Sequence, residues 1–509
     1  MAWRDYRSAG GWTVTLLPAQ PKEACESLRT RIQAVITART APDRTAILLL
    51  GDVGENGIPT FQFEQGEPSL LRGGEPTFAS DHPYALLTED EPSMVAIGRV
   101  PVATDVEALA VLAKIRRYEE DAPAGPWRHR VTYVAGEGHF GIFDTLLEQV
   151  FIRFVNESVP PSYDVSVTYA KPDSKWCPPL TCVERTTLER LSEGSLLFNY
   201  VGHGHAEGVD TLRWGPKEEE RRAPILRGSA LKDLPSCSGR HPIALMTCCS
   251  TGWFDRSPDH GRDRDSLAEL MLEHPEGPVA IVAGTRPTHP YGNAVFQKEL
   301  TRMLIAHADE TMGEIDRRAR LAMFDLDARD RELDAMVAPI AKLTKWKLSL
   351  EDLRLMHVRM YALIGDPMMR IASPGAKVEG LAIAEGHVTG RVPTIATGTV
   401  EVLIETARDD CVSTDVQLAA PNDDAEARAA HNYPLVNDRV LWRGQGDIRE
   451  GRFSIPLPSP LPGRSAMLRV RATEAPPTVG ARAAEAIGGM RLTRRHVESG
   501  SRTESPSGS

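Results

Sequence analysis

The chain is poor in cysteine and lacks long apolar runs. Its 509 residues include seven cysteines, an odd number at irregular spacing, which is not the pattern of a disulfide framework. No stretch approaches the roughly 20 apolar residues of a membrane-spanning helix. Lys and Arg number 59 against 70 Asp and Glu, a net charge of −11, and this acidic balance argues against a nucleic-acid surface. We therefore expect no direct partner among nucleic acids or membranes.

The amino-terminal residues MAWRDYRSAGGWTVTLLPAQP lack the charged start, apolar centre and small-residue cleavage site of a secretory signal. Together with the sparse cysteines, this predicts a cytoplasmic protein whose thiols stay reduced. The composition, with 41% hydrophobic and 25% charged residues, is typical of globular domains. The length predicts more than one of them.

Apolar runs that read as strands alternate with stretches of helical spacing in the first three quarters of the chain. The runs are TAILLLGD (45–52), MVAIGRV (94–100), RVTYVAGEG (130–138), LLFNYVGHGHAEG (196–208), PIALMTCCS (242–250) and PVAIVAGT (278–285). Helical spacing occurs at 105–120, 144–157 and 265–274 and through most of 296–360. This alternation predicts an α/β fold with a mostly parallel sheet, closed by a strand within 360–372.

Beyond Pro374 the pattern changes to short alternating strands with Gly, Pro and Asp punctuation and no helix between them. That pattern is typical of a small β-sandwich. The last ~35 residues are rich in Ala, Gly, Ser, Arg and Glu and predict a disordered tail.

Chemically reactive side chains follow two of the buried strands. His203 and His205 stand among glycines after one strand, and Cys248 and Cys249 follow another. The carboxyl ends of parallel strands share one edge of the sheet, so we expect thiol and imidazole to meet there. A thiol needs a nearby base or cation to ionise at neutral pH. A buried structural cysteine and a hydrogen-bonded loop histidine are the alternative interpretations.

The motifs NYVGHG and CCSTGWF, in this order, resemble the gingipain-type cysteine peptidases, which share the caspase-like fold. The similarity extends through ILLLGD, SDHPYALL, VAIGRVPV, GPVAIVAGT and IGDPMMR and covers roughly residues 40 to 373. It implies a caspase-like three-layer sandwich followed by an immunoglobulin-like β-sandwich. We predict four regions: an N-terminal extension (1–40), the peptidase domain (41–373), the immunoglobulin-like domain (374–474) and the tail (475–509).

The resemblance also implies roles for individual residues. Cys249 matches the nucleophile and His203 the general base and acid. The amides of Gly204 and Cys249 would form the oxyanion hole. Glu137 matches a glutamate that orients the catalytic histidine. Cys248 should point to the opposite face of its strand, and His205 stands where the family usually has Ser.

The segment YVAGEGHFGIFDTLLE carries two further interpretations. Gly136, Gly138 and Gly141 spell the G-x-G-x-x-G of dinucleotide-binding loops, although no acidic residue stands at the expected spacing. By the resemblance, Asp144 lines the primary specificity pocket and selects basic residues, but an Asp here also suits a helix N-cap. If Asp144 caps its helix, the pocket becomes apolar and is lined by Phe140, Phe143 or Tyr291.

We predict a cysteine endopeptidase that needs no cofactor or metal, acts on protein or peptide substrates and is restrained by a regulatory protein partner. A zinc site made of His203, His205, Cys248 and Cys249 is disfavoured, because consecutive strand residues do not aim readily at one ion. The alternative function is a nucleotide- or protein-binding module without peptidase activity.

Overall fold

The computed structural model of the chain describes residues 1–39, 44–54, 56–65, 76–88, 94–138, 158–256, 265–344, 346–420, 423–459, 466–474 and 484–492. The helices within these residues are α1 (Ala2–Ala9), α2 (Cys25–Thr37), α3 (His82–Ala85), α4 (Asp105–Asp121), α5 (Val183–Ser192), α6 (Leu267–Glu273), α7 (Pro290–Ala306), α8 (Met312–Ala322), α9 (Ala328–Thr344), α10 (Leu350–Met360) and α11 (Ala425–Val436).

The strands of the same residues up to residue 364 are β1 (Ala46–Leu50), β2 (Phe61–Glu64), β3 (Thr77–Ser80), β4 (Ala96–Val100), β5 (Arg130–Gly136), β6 (Asp164–Ala170), β7 (Leu197–Val201), β8 (Gly204–His205), β9 (Gly208–Val209), β10 (Thr211–Trp214), β11 (Arg221–Pro224), β12 (Ile243–Thr247), β13 (Ala280–Gly284) and β14 (Tyr361–Ile364). The remaining strands are β15 (Ala376–Lys377), β16 (Glu379–Ala384), β17 (His387–Arg391), β18 (Thr397–Thr406), β19 (Val440–Arg449), β20 (Arg452–Pro456), β21 (Ala466–Glu474) and β22 (Glu485–Arg491).

The first sheet has eight strands in the order β1-β4-β14-β13-β12-β7-β5-β6. Its neighbouring strands are parallel except β13 and β14, which are antiparallel. The predicted mostly parallel sheet is therefore confirmed, including the closing strand within 360–372. Strands β12 and β13 are buried along their whole length, as expected for a sheet covered on both faces.

Capping residues mark the starts of three helices, of which α4 and α6 lie where the sequence analysis placed a helix. Reciprocal capping boxes begin α4 at Thr104 and α10 at Ser349, and each box satisfies two backbone N–H groups at the helix start. At the start of α6, the Ser266 N–H donates to the Glu269 carboxylate at 2.7 Å. The predicted helix over 144–157 lies outside the described residues.

The predicted N-terminal extension holds α1 and α2, and α1 is anchored on the sheet domain. Trp3 Nε1 and Arg7 Nε both donate to the buried carboxylate of Asp366, at 2.6 and 2.8 Å. Asp366 follows β14 in the GDP turn, so these contacts join the first residues of the chain to the last strand of the first sheet.

The second sheet has the order β15-β22-β21-β18-β19-β20-β17-β16. It is nearly closed, because Gly488 of β22 lies against Leu381 of β16 and against Val378 just before that strand. Two expectations for this region are wrong. Helix α11 stands between β18 and β19, where no helix was expected. Residues 485–491, assigned to the tail, form β22, which pairs with β21 from Met467–Arg491 to Thr473–Glu485.

The described helices are each too short or too polar to cross a bilayer. The other residues of the predicted tail, 475–483 and 493–509, lie outside the described part of the chain.

Candidate active site

Strands β7 and β12 are parallel neighbours, and their carboxyl ends are in register, with Val201 opposite Thr247. The segments that carry His203 and Cys249 therefore leave the sheet side by side. A Cβ atom at Gly204 would lie 2.6 Å from the carbonyl oxygen of Cys249 and 2.7 Å from Cys248 Sγ. The histidine loop can approach the cysteines this closely only because Gly204 has no side chain.

The two adjacent cysteines differ in their surroundings. Cys248 is fully buried, and its Sγ lies 3.5 Å from Thr251 Oγ1. Cys249 is partly exposed, and Ser250 after it has φ of +57°. A left-handed conformation is costly for a serine, by roughly 1–2 kcal/mol, and such strain clusters at functional sites.

Burial raises the pKa of both thiols. At Cys249 this effect is opposed by Thr288, whose backbone and side-chain hydrogen bonds lower the thiol pKa. The N–H of Thr288 donates to Cys249 Sγ at 3.4 Å, and Thr288 Oγ1 lies 3.8 Å from the same sulfur. Thr288 lies in the loop after β13, the neighbour of β12 on the side away from β7.

The ring of His203 is oriented by a backbone carbonyl. His203 Nε2 lies 2.6 Å from the carbonyl oxygen of Gly138. A carbonyl oxygen only accepts hydrogen bonds, so Nε2 carries a proton and Nδ1 is the nitrogen that can act as a base. The buried hydroxyl of Tyr200 donates to the carbonyl of His203 at 3.0 Å and so fixes the backbone of the histidine loop.

Glu137 lies half-buried immediately before Gly138. Its role in orienting His203 stays a prediction, whereas the Gly138 carbonyl is a contact that sequence analysis missed. The sequence signal for this contact was the pair Gly136 and Gly138, which the sequence analysis considered as part of a dinucleotide-binding loop. Gly136 also has a packing role, because a Cβ atom there would lie 2.9 Å from Tyr200 Oη. Gly141 lies outside the described residues.

Two N–H groups at the strand ends suit the predicted oxyanion hole. His203 accepts a hydrogen bond from the Asp210 N–H at 3.1 Å, so these two residues form the hydrogen-bonded pair of the β8–β9 hairpin. Gly204 and Val209 are then the non-hydrogen-bonded pair, and the Gly204 N–H points away from the hairpin. Within the described part of the chain, the Cys249 N–H has no hydrogen-bond acceptor.

The other predicted site residues lie apart from this centre or outside the described residues. His205 is exposed on the hairpin, and its Nδ1 accepts from the Glu207 N–H at 3.3 Å. Tyr291 is buried at the start of α7, where its hydroxyl donates to Asp334 at 2.6 Å. Asp144, Phe140 and Phe143 lie outside the described residues.

An ion pair ties the loop after β12 to the loop after β13. Asp255 accepts two hydrogen bonds of 2.7 Å from the guanidinium of Arg286, which also stacks 4.2 Å above the ring centre of Trp253. This bidentate geometry favours one relative position of the two loops. Sequence analysis missed Arg286 and Thr288, although both follow an apolar run that ends at the same edge of the sheet.

One group of carboxylates in the described residues has ligand-like spacing: Glu299, Asp327 and Asp330. The ammonium of Lys298 lies among them, 2.7, 3.1 and 2.5 Å from their oxygens in that order. The Lys298 ammonium therefore neutralises these carboxylates in the place that a metal ion would take. The disfavoured zinc set is not assembled as a ligand group, because Cys248 is buried against Thr251 and His205 bonds within its own hairpin.

The chain was compared with known proteins in sequence and in structure. Among curated proteins none matches the chain in sequence. Solved structures do match. The Arg-specific cysteine proteinase gingipain R (RgpB) is 16% identical with a TM-score of 0.49, over 92% of this chain and 89% of that one. The complex of the pro- and mature domains of RgpB from Porphyromonas gingivalis is 15% identical with a TM-score of 0.47, over the same shares.

A further structure, described as a protease, is 13% identical with a TM-score of 0.52 and covers 96% of this chain and 94% of its own. This likeness agrees with the predicted fold class. The model of peptidase family C25 matches residues 3–372, which include both strand ends, His203 and Cys249. The chain therefore belongs to peptidase family C25, the gingipain family of cysteine peptidases with a caspase-like fold.

Proposed function

We propose that this cysteine peptidase hydrolyses protein substrates through Cys249 and His203. The observation that carries the proposal is the packing of the His203–Gly204 segment on the peptide of Cys249 at two neighbouring strand ends. Membership of family C25 favours this activity over the alternative of a binding module without peptidase activity. Two of the three glycines that suggested a nucleotide contact the proposed site: Gly136 packs against Tyr200, and the Gly138 carbonyl lies against His203.

The proposed reaction has two halves. His203 takes the proton of the Cys249 thiol, and the thiolate attacks the substrate carbonyl to form a C–S bond, while the N–H groups of Gly204 and Cys249 hold the oxyanion. His203 gives its proton to the leaving amine as the C–N bond breaks. A water molecule, deprotonated by His203, then attacks the thioester and releases the acid and the free thiol.

The two adjacent cysteines provide a matched test. Cys249→Ala should lower peptide hydrolysis at least about a thousandfold and abolish labelling by a peptidyl chloromethyl ketone. Cys248→Ala removes a thiol buried against Thr251 and should keep most of both. Mass spectrometry of the labelled peptide identifies the modified residue. The opposite behaviour of the two variants would overturn the assignment.

We further propose that substrates carry Arg or Lys before the scissile bond and that Asp144 selects them. A poorly solvated carboxylate requires a cation to offset its burial, and a guanidinium binds it with two parallel hydrogen bonds. A peptide library varied at that position should show a basic preference that Asp144→Asn lowers at least about tenfold. A preference for small or apolar residues, or a basic preference unchanged in Asp144→Asn, would eliminate this role and leave the dyad standing.

The last part of the proposal concerns control. We infer that the protein acts in the cytoplasm and that a regulatory protein restrains it there, because an unrestrained peptidase would degrade its own compartment. The seven free thiols support a reducing setting. Pull-down with the inactive Cys249→Ala form should retain a specific protein. Retention of nothing above background would count against a stable regulatory complex.

A further inference from the structure

Three polar groups of Thr288 surround the Cys249 sulfur. Its N–H donates to Sγ at 3.4 Å, and its carbonyl oxygen and Oγ1 each lie 3.8 Å from Sγ. A thiol can donate to the carbonyl, whereas a thiolate can only accept, from the N–H and the hydroxyl. We propose that Thr288 is a further catalytic residue that stabilises the Cys249 thiolate with its hydroxyl, and that Asn293 and Tyr361 are the positioning residues that aim it.

The direction of the Thr288 hydroxyl is set by a chain of hydrogen bonds. Tyr361 donates its hydroxyl hydrogen to Asn293 Oδ1 at 2.8 Å, and Asn293 Nδ2 donates to Thr288 Oγ1 at 2.8 Å. Because Oγ1 accepts from Asn293, its own hydrogen can be donated, and the Cys249 sulfur and the Tyr361 hydroxyl are the two acceptors beside it. In the proposed relay this hydrogen is donated to the sulfur. All three side chains in this relay are buried, so their hydrogen bonds are shielded from water and strengthened by the low local dielectric.

These hydrogen bonds oppose the unfavourable effect of burial on the charged Cys249 thiolate. Burial disfavours the charged form of Cys249, and the nucleophile must be charged to attack. Hydrogen bonds to a charged group are roughly twice as strong as those between neutral groups. They therefore stabilise the thiolate more than the thiol. This inference rests on the proposed role of Cys249, and it is independent of Asp144 and of any partner.

Four other titratable groups lie around Cys249, and none of them changes its protonation state over the pH range in which the Cys249 reaction is measured. The pKa of Tyr200, of Tyr361 and of the Cys248 thiol is raised by burial. The buried imidazole of His289, next to Thr288, has its pKa lowered to about 3. From about pH 5 to about pH 9 these four groups keep one protonation state. These four groups therefore contribute no step to the pH dependence of the Cys249 reaction in that range.

The test is the rate of alkylation of Cys249 by iodoacetamide as a function of pH, followed by mass spectrometry of the Cys249 peptide. Thr288→Val removes the hydroxyl and keeps the N–H and the shape. We expect its profile to move up by about one pH unit, with about tenfold slower alkylation at neutral pH. Thr288→Ser should restore the native profile. Thr251→Val is the matched control, because it makes the same change beside Cys248.

Variants of Asn293 test the direction of the relay. Asn293→Asp replaces the amide donor by a group that only accepts, so it should draw the Thr288 hydrogen away from the sulfur and slow alkylation more than Tyr361→Phe does. Because these variants change different residues, a folding failure in one leaves the others to decide. Circular dichroism identifies the folded variants.

The outcomes distinguish the hydrogen-bond relay to Thr288 from the proposed catalytic pair Cys249 and His203. If Thr288→Val and Asn293→Asp show the native alkylation profile, the relay is overturned, even when Cys249→Ala is inactive. If Cys249→Ala keeps its peptidase activity, the proposed function fails whatever Thr288 does. Slower alkylation in Thr288→Val that Thr288→Ser does not restore would also overturn the role of the hydroxyl.

Discussion

Strand β12 has a cysteine and a histidine near each of its two ends. At the carboxyl end, Cys249 meets the loop of His203. At the amino end, in the segment before the strand, Cys237 Sγ lies 3.2 Å from His241 Nδ1. A search for thiol and imidazole in contact would select the second pair, yet the two ends have different chemistry.

The amino-end pair is held in its neutral form. Both side chains are buried. Burial, with the adjacent Glu276 carboxylate, raises the pKa of the Cys237 thiol to about 11, and burial lowers the pKa of the His241 imidazole to about 4. His241 Nδ1 also lies 2.9 Å from the Gly277 carbonyl oxygen, so this nitrogen donates and cannot take a proton from the thiol.

The carboxyl-end cysteine faces donors. Thr288 presents an N–H and a hydroxyl to Cys249, and Cys249 is partly exposed, so a substrate can reach it. Under the proposed function, the contrast means that proximity of sulfur and imidazole is not enough to make a nucleophile. The protonation of the ring, the charge beside the sulfur and access from solvent decide it.

The largest expected difference between the two ends is in catalysis. His203→Ala should lower kcat/KM about 100- to 10,000-fold, the range for loss of a general acid and base. His241→Ala should change it less than about threefold in folded protein, because His241 touches no reacting group. Both are measured on one peptide substrate at neutral pH. An equal loss in a folded His241→Ala variant would remove the distinction between the ends.

The smaller expected difference is in the stability of the fold toward acid. The pKa of His241 falls from its ordinary 6.5 to about 4 on folding, so between these values the unfolded chain binds more protons than the folded one. The free energy of unfolding therefore falls as the pH falls through this window, by up to about 1.4 kcal/mol per pH unit for this residue.

Urea unfolding at several pH values measures that slope. His241→Gln should have a shallower loss of stability below about pH 6.5 than the native chain. Part of the loss remains, because burial also lowers the pKa of His129, His289 and His357. His205→Gln is the control, since His205 is exposed. The idea fails if His241→Gln and the native chain lose stability with the same slope.

Sequence analysis succeeded where local pattern and structure coincide. The buried strands coincide with continuous apolar runs between turn residues, and α4, α6 and α10 begin at capping residues. His203 and Cys249 were selected as candidates because each follows such a run, and the resemblance to the family distinguished Cys249 from Cys248. Helix α11 was missed because Pro434 and Asn432 weaken its pattern, and β22 because Gly488 and Gly489 are poor strand formers.

The sequence by itself therefore determined the parallel sheet, the ends of its strands and the pair of residues expected to carry the chemistry. The tertiary structure alone decided which groups surround them. Gly138 is 65 residues from His203 and Thr288 is 39 residues from Cys249. They become neighbours because β5 pairs with β7 and β13 with β12. Strand order follows from the packing of the whole core, and no local stretch of sequence carries it.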